Sequence, residues 1–160
     1  RPCDRCWRGS RRRQSRHNAR NVCFHPAPAW ARLHAMGLTR TAIQLRNPLR
    51  PDQAPLQVPA LADTGAVYLC LPPAIAAEIG LSELERREVT LADGSRRLVP
   101  YGGPVEVRFG TRRCFVGAML MGDEVLLGAI PMEDLDLVIQ PLTRTVTVNP
   151  ASPDMPSGRA

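Results

Sequence analysis

The sequence predicts an all-β domain carrying one or two short helices, and three observations support it. The apolar runs are short and broken by turn residues, with sixteen prolines spread over 160 residues, a density that favours many brief elements over long helices. Two hairpin signals, Asp93-Gly94 and Gly110-Thr111, sit between alternating apolar and polar residues. Val, Leu, Ile and Ala dominate the apolar set and aromatic residues make up only 4%, which suits the compact core of one β-rich domain.

Taken in order, Thr41 to Leu45 alternates as a first strand and "NPLRPDQAP" (47–55) is a loop. Gln57 to Ala62 reads as a short buried strand ending at Asp63; after a Thr64-Gly65 turn, Ala66 to Leu71 forms a second apolar strand. Pro72 and Pro73 open a short helix, "PAIAAEIG", with proline favoured in the first turn and Gly80 as its C-cap. "LSELERRE" (81–88) is polar and reads as a continuing helical turn. "VTLADGSRRLVPY" is a hairpin in which Asp93-Gly94 accepts the positive φ values of a type I′ turn. A second hairpin runs from Val105, Val107 and Phe109 through Gly110-Thr111 and back along Cys114 and Val116. "EVLLGAI" (124–130) is an apolar strand broken at Gly128. Pro131 starts a helical turn with Glu133 and Asp134 near its positive end, and "RTVTVNP" (144–150) is a closing strand.

The net charge of +6 is unevenly placed. Residues 1–35 hold nine Arg and one acid, a net of +8, whereas residues 36–160 carry a net of −2. Nucleic-acid binding by the domain therefore gets no support from charge. The first 35 residues show neither helical nor strand periodicity, so they are expected to be a disordered leader or an upstream extension foreign to the native protein, with Met36 as the natural start. A zinc knuckle or a nucleic-acid arm is the competing reading there, from Cys3 and Cys6 spaced C-x2-C with His17, Cys23 and His25 beyond, amid many Arg; one such pair without a matching second is a weak zinc signal. Residues 151–160 are expected to be a disordered tail. No apolar run approaches the roughly 20 residues that span a bilayer, and no apolar stretch opens the chain as a signal peptide would. The expectation is a cytoplasmic protein with reduced thiols.

All three histidines, His17, His25 and His34, precede residue 36, which argues against Ser-His or Cys-His catalysis in the domain. What remains is "ALADTGAVYLCLPP" (60–73), where one carboxylate, Asp63, stands between two apolar runs. An Asp-x-Gly tripeptide can serve as an ordinary turn. Here, however, a strand delivers Asp63-Thr64-Gly65 into the turn, a hairpin follows about 30 residues later, and Leu126-Leu127-Gly128 comes after it, followed by a short helix.

In that order these features resemble the single-domain, retroviral-type (retropepsin-like) aspartic proteases, in a bacterial branch, over about residues 38 to 150. The resemblance implies a closed β-barrel active as a homodimer, needing neither metal nor cofactor, with Asp63 as the catalytic aspartate. Thr64 would hydrogen-bond the facing copy of its loop, Gly65 would let its N–H approach the carboxylate, and Ala66 matches the small residue usual there. Leu126, Leu127 and Gly128 would support the Asp63 loop. The 89–99 hairpin, with Ala92, Asp93 and Gly94 at its tip, would be a flap over substrate, and strands near 41–45 and 144–149 would join the dimer interface. A tip with one glycine beside Arg96 and Arg97 departs from the family pattern toward a stiffer, more charged flap; Pro131 shortens the usual helix.

The implied activity is hydrolysis of peptide bonds in peptides or unfolded proteins. The alternative is the same fold as a dimerising or peptide-binding module without turnover. Only one Asp-Thr-Gly occurs in the chain, so the second carboxylate would come from a second copy.

Overall fold

Period-two burial is plain in β1 (Thr39–Arg46), where Ile43 and Leu45 are buried while Arg40, Ala42 and Gln44 face out. The computed structural model describes residues 38–91 and 93–157. After β1 come β2 (Leu56–Ala62), β3 (Leu69–Leu71), α1 (Pro73–Glu78), β4 (Glu83–Thr90) and β5 (Arg96–Phe109). They are followed by β6 (Arg112–Leu120), β7 (Val125–Leu127), α2 (Ala129–Asp134), β8 (Leu137–Gln140) and β9 (Thr145–Val148). Six strands close in the order β1-β2-β7-β3-β6-β5, because the end of β1 also pairs with β5 from Gln44↔Arg108 to Arg46↔Glu106. β4 extends the sheet past β5 as an edge strand, and β8 and β9 form a separate two-stranded sheet. The expected all-β barrel with two short helices is therefore what forms. Leu45, Leu69, Leu71, Val105, Val107 and Leu127 fill its interior with no exposed surface, each contributing roughly 1.5–3 kcal/mol over an exposed side chain. Among the described residues no helix is long and apolar enough to cross a membrane.

Several local expectations are corrected. The strand expected over Ala66–Leu71 begins only at Leu69, because the Ala66 and Val67 carbonyls accept the N–H groups of Ala129 and Ile130 at 2.8 and 3.0 Å instead of joining a ladder. The segment 81–88 is not a helical turn: Glu83–Thr90 pairs with β5 along its whole length, and long-range pairing overrides the helix preference of Glu, Leu and Arg. The hairpin loop is one residue longer than a type I′ turn. Leu91 N donates to Ser95 O (2.8 Å) and Gly94 N to Leu91 O (2.9 Å), so the hairpin closes at the Leu91–Ser95 pair, with Gly94 at φ 79°. Strand β8 was not anticipated, and α2 starts at Ala129 rather than Pro131. The leader, with its alternative zinc ligands, and Ala92 lie outside the described residues.

The tail expected to be disordered is anchored over its described part. Asp136, just past α2 at φ 50°, is an acid that tolerates the left-handed region. Its carboxylate accepts hydrogen bonds from Ser152 Oγ, Asn149 Nδ2 (2.8 Å) and Ser157 N (3.0 Å), and lies 3.1 Å from Arg112 Nη1. Arg112, 4% exposed, also donates to the carbonyls of Leu135 and Asp136 at 3.0 Å and to that of Ser152. The Ser152 hydroxyl, then Asn149 and the Ser157 amide, and the Arg112 guanidinium hold the Asp136 carboxyl well below the usual carboxylate range.

A carboxyl whose pKa is depressed in the folded state contributes stability above its unfolded value, about 3.9, and loses it as pH falls toward the folded value. Asp136→Asn is therefore expected to lower Tm by several degrees at pH 7. The gap from the parent should shrink steadily below about pH 4, as read by thermal unfolding across a pH series.

Candidate active site

Strand β7 lies between β2 and β3, parallel to the first (Ala60↔Val125 to Ala62↔Leu127) and antiparallel to the second (Cys70↔Leu126). The connection from β2 to β3, residues 63–68, must therefore pass the end of β7. Asp63 is the first residue of that connection, and its N–H donates to Leu127 O at 3.1 Å. A turn follows, closed by Ala66 N to Asp63 O at 3.2 Å. Inside it the Gly65 N–H donates to Asp63 Oδ1 at 2.9 Å, an Asx-type bond that aims the carboxylate. A Cβ on Gly65 would stand 3.1 Å from that same oxygen, so the small residue is what lets the amide close on the acid.

At the crossing itself is Gly128. A Cβ there would run into the backbone, against the carbonyl of Tyr68 and 2.7 Å from that of Ala66. The next two N–H groups, from Ala129 and Ile130, are the ones that bond Ala66 and Val67. Leu127 is fully buried and supplies the carbonyl beneath Asp63, while half-buried Leu126 lines the space on one side. The structure thus brings Asp63, Gly65, Ala66, Leu126, Leu127 and Gly128 together.

Asp63 is half-buried and stands where two clefts meet. The first, about 640 Å³, runs under β4 and is lined by Val67, Tyr68, Cys70, Val89, Met119 and Met121 among others. The second, about 560 Å³, lies between the Asp63 turn and the β8–β9 sheet, with Leu38, Ile139, Pro141 and Arg144 on its walls. Thr64 is exposed beside it, and its hydroxyl makes no hydrogen bond among the described residues. Asp63 Oδ2 likewise accepts none.

Of the expected flap tip, neither Asp93 nor Gly94 is among the residues that line the two clefts. Asp93 spends its carboxylate on Ser95, accepting Oγ at 2.6 Å and N at 2.9 Å; the Ser95 hydroxyl and then its amide hold the Asp93 carboxyl below its ordinary value. The part of the hairpin that does line the groove is its arm, Glu88 to Leu91. Met119, Met121, Tyr68 and Cys70 were not singled out from the sequence as groove residues. The signals available were the period-two spacing of the two methionines at the end of a strand and the nearness of Tyr68 to the Asp-Thr-Gly turn. Neither thiol offers a nucleophile. Burial, then the Asp63 charge, pushes Cys70 up, and burial with the Asp134 charge pushes Cys114 up to about 12, so both stay protonated at neutral pH.

No family model and no curated protein matches the sequence. Among solved structures, the chain is similar to the protease of a simian foamy virus, with a TM-score of 0.37 and 15% identity over 57% of this chain and 91% of that one. It is also similar to a Legionella pneumophila protein of unknown function, with a TM-score of 0.34 and 17% identity over 69% of this chain and 90% of that one.

Gly128→Ala is expected to cost at least about 3 kcal/mol, since the added methyl meets backbone rather than a side chain that can turn away. Its urea midpoint should fall well below that of a control, Gly110→Ala, whose extra methyl meets nothing within 4 Å and carries only the strain of a positive φ.

Proposed function

We propose that the protein is an aspartic endopeptidase of the retropepsin-like type, built by two copies of this chain facing each other across Asp63. The observation that carries this reading is the setting of that one acid. It sits at the junction of two clefts, with one oxygen fixed by the Gly65 amide and the other without a hydrogen-bond partner among the described residues. The Thr64 hydroxyl, exposed and without a hydrogen bond among the described residues, would meet the same loop of a second copy, with the cleft toward β8–β9 beside it.

In the dimer two carboxylates about 3 Å apart would share one proton, since like charges that close cannot both ionise. The ionised member takes a proton from a water as that water attacks the peptide carbonyl; the protonated member donates to the carbonyl oxygen. The groove under β4 would hold the peptide, and its apolar walls (Val67, Val89, Met119, Met121) favour unfolded segments over folded surfaces. A reducing, cytoplasmic setting fits the unpaired thiols of Cys70 and Cys114.

Cleavage of a fluorogenic casein substrate by the full chain tests this. Specific activity is expected to rise with protein concentration, to fall as pH rises through the upper joint pKa of the pair, and to be blocked by a statine-type mimic. Asp63→Asn is expected to lose at least about a thousandfold in kcat with the fold and the sedimenting dimer unchanged. Retained cleavage in that variant discards the assignment. Saturable peptide binding by the parent without hydrolysis would instead make the protein a peptide-binding module.

A further inference from the structure

One cluster beside the groove takes no part in the chemistry proposed above. The Arg87 guanidinium carbon on β4 lies 3.6 Å over the ring centroid of Tyr101 on β5 and 5.9 Å from that of Tyr68. The two rings meet edge to face, 6.2 Å apart at 74°. Tyr68 belongs to the connection that starts at Asp63 and lines the groove. Tyr101 lies flat over Gly117 on β6, where a Cβ would overlap its ring. Glu85 holds the guanidinium from its outer side at 2.6 Å. Tyr101 belongs to the hairpin's own second strand, so the link from the arm to the floor of the groove runs through Tyr68, which Arg87 and Tyr101 both meet.

The rest of the arm offers little to do the same. Glu83 pairs with Arg86 at 3.0 Å and Glu88 with Arg96 at 3.1 Å, contacts that bind the hairpin to itself and not to the floor. Leu84 and Leu98 are 63% and 66% exposed. Val89, two residues along the strand on the same face as Arg87, packs with the cluster of Cys70, Val99 and Met119 and lines the groove. Glu88 lines the groove itself; Arg87 stands beside it, and is the cation of the arm that stacks on the rings at its edge.

We propose that Arg87 is a positioning residue: its stack on Tyr101, with Tyr68 beneath, sets the height of β4 above the Asp63 groove. The inference rests on the groove being the substrate site. It predicts that loosening the stack weakens substrate retention without touching the step carried out at Asp63.

The test uses the full chain. Arg87→Gln is expected to speed amide hydrogen exchange over residues 88–97 several-fold while leaving β1 and β2 unchanged. It should raise KM for a casein-derived peptide about three- to tenfold with kcat within about twofold. Arg87→Lys keeps a cation over the ring and should restore most of both. Unchanged exchange in the Gln variant, acceleration spread evenly through the barrel, or a Lys variant no better than Gln overturns the proposal. If the parent cleaves no peptide, that failure falls on the endopeptidase reading, and the exchange measurement still decides on the stack.

Discussion

The crossing at Gly128 is the contact on which the rest of the structure depends. Two backbones pass there with no room for a single carbon atom on the glycine. Because β7 lies between β2 and β3, the chain leaving β2 has to run over the end of β7, and the closeness of that passage decides where Asp63 comes to rest. Three backbone hydrogen bonds then fix the loop: Asp63 to Leu127, Ala129 to Ala66 and Ile130 to Val67. Each is worth about 0.5–1.5 kcal/mol net, so together they hold the loop firmly, but they form only at the separation the glycine permits. The short β3 has the same origin, since the residues that could have extended it are bonded to the start of α2.

Two acids in the chain make an instructive contrast. Asp136 is buried, and its carboxylate is saturated by Ser152, Asn149, the Ser157 amide and Arg112. All its accepting capacity goes to tying the C-terminal segment to the barrel. Among the described residues the Asp63 carboxylate accepts one hydrogen bond, and it is only half-buried. A carboxylate in that condition has not yet met the main cost of desolvation, and it keeps an oxygen free for a proton, a water or a second carboxylate. Full bonding ties Asp136 to the structure, whereas Asp63, at the junction of two clefts, keeps one oxygen without a hydrogen bond among the described residues.

Much of this was legible in the sequence because it rests on local rules. Asp63-Thr64-Gly65 between apolar runs located the turn, Gly128 located the break after β7, and Pro72-Pro73 located the start of α1, whose C-cap is Ile79, one residue before the expected Gly80 at φ 63°. The misses lie where distant partners decide. β4 carries good helix formers and is a strand only because β5 pairs with it. β8 has no glycine or proline pair to announce its turn, which is made by Arg144 at φ 53°, a residue type that gives no such signal. The Asp136 anchor joins residues 13 to 24 positions apart in sequence, beyond any periodicity. The walls of the groove were hidden for the same reason, since β4, β6 and the 63–68 connection meet only in the folded barrel.

The hairpin over the groove shows how this chain departs from a mobile cover. With a single glycine at its loop, the tip is braced by Asp93 holding Ser95, and the arm is paired with β5 from Glu83 to Thr90. The ion pairs along it are exposed and contribute at most about 1 kcal/mol apiece, so they cannot account for its placement. Placement has to come from contacts between arm and floor, and these are few: Val89 and Val99 against the small cluster around Cys70 and Met119, and the Arg87 stack. The contacts that place the hairpin therefore lie at its foot and not at its tip.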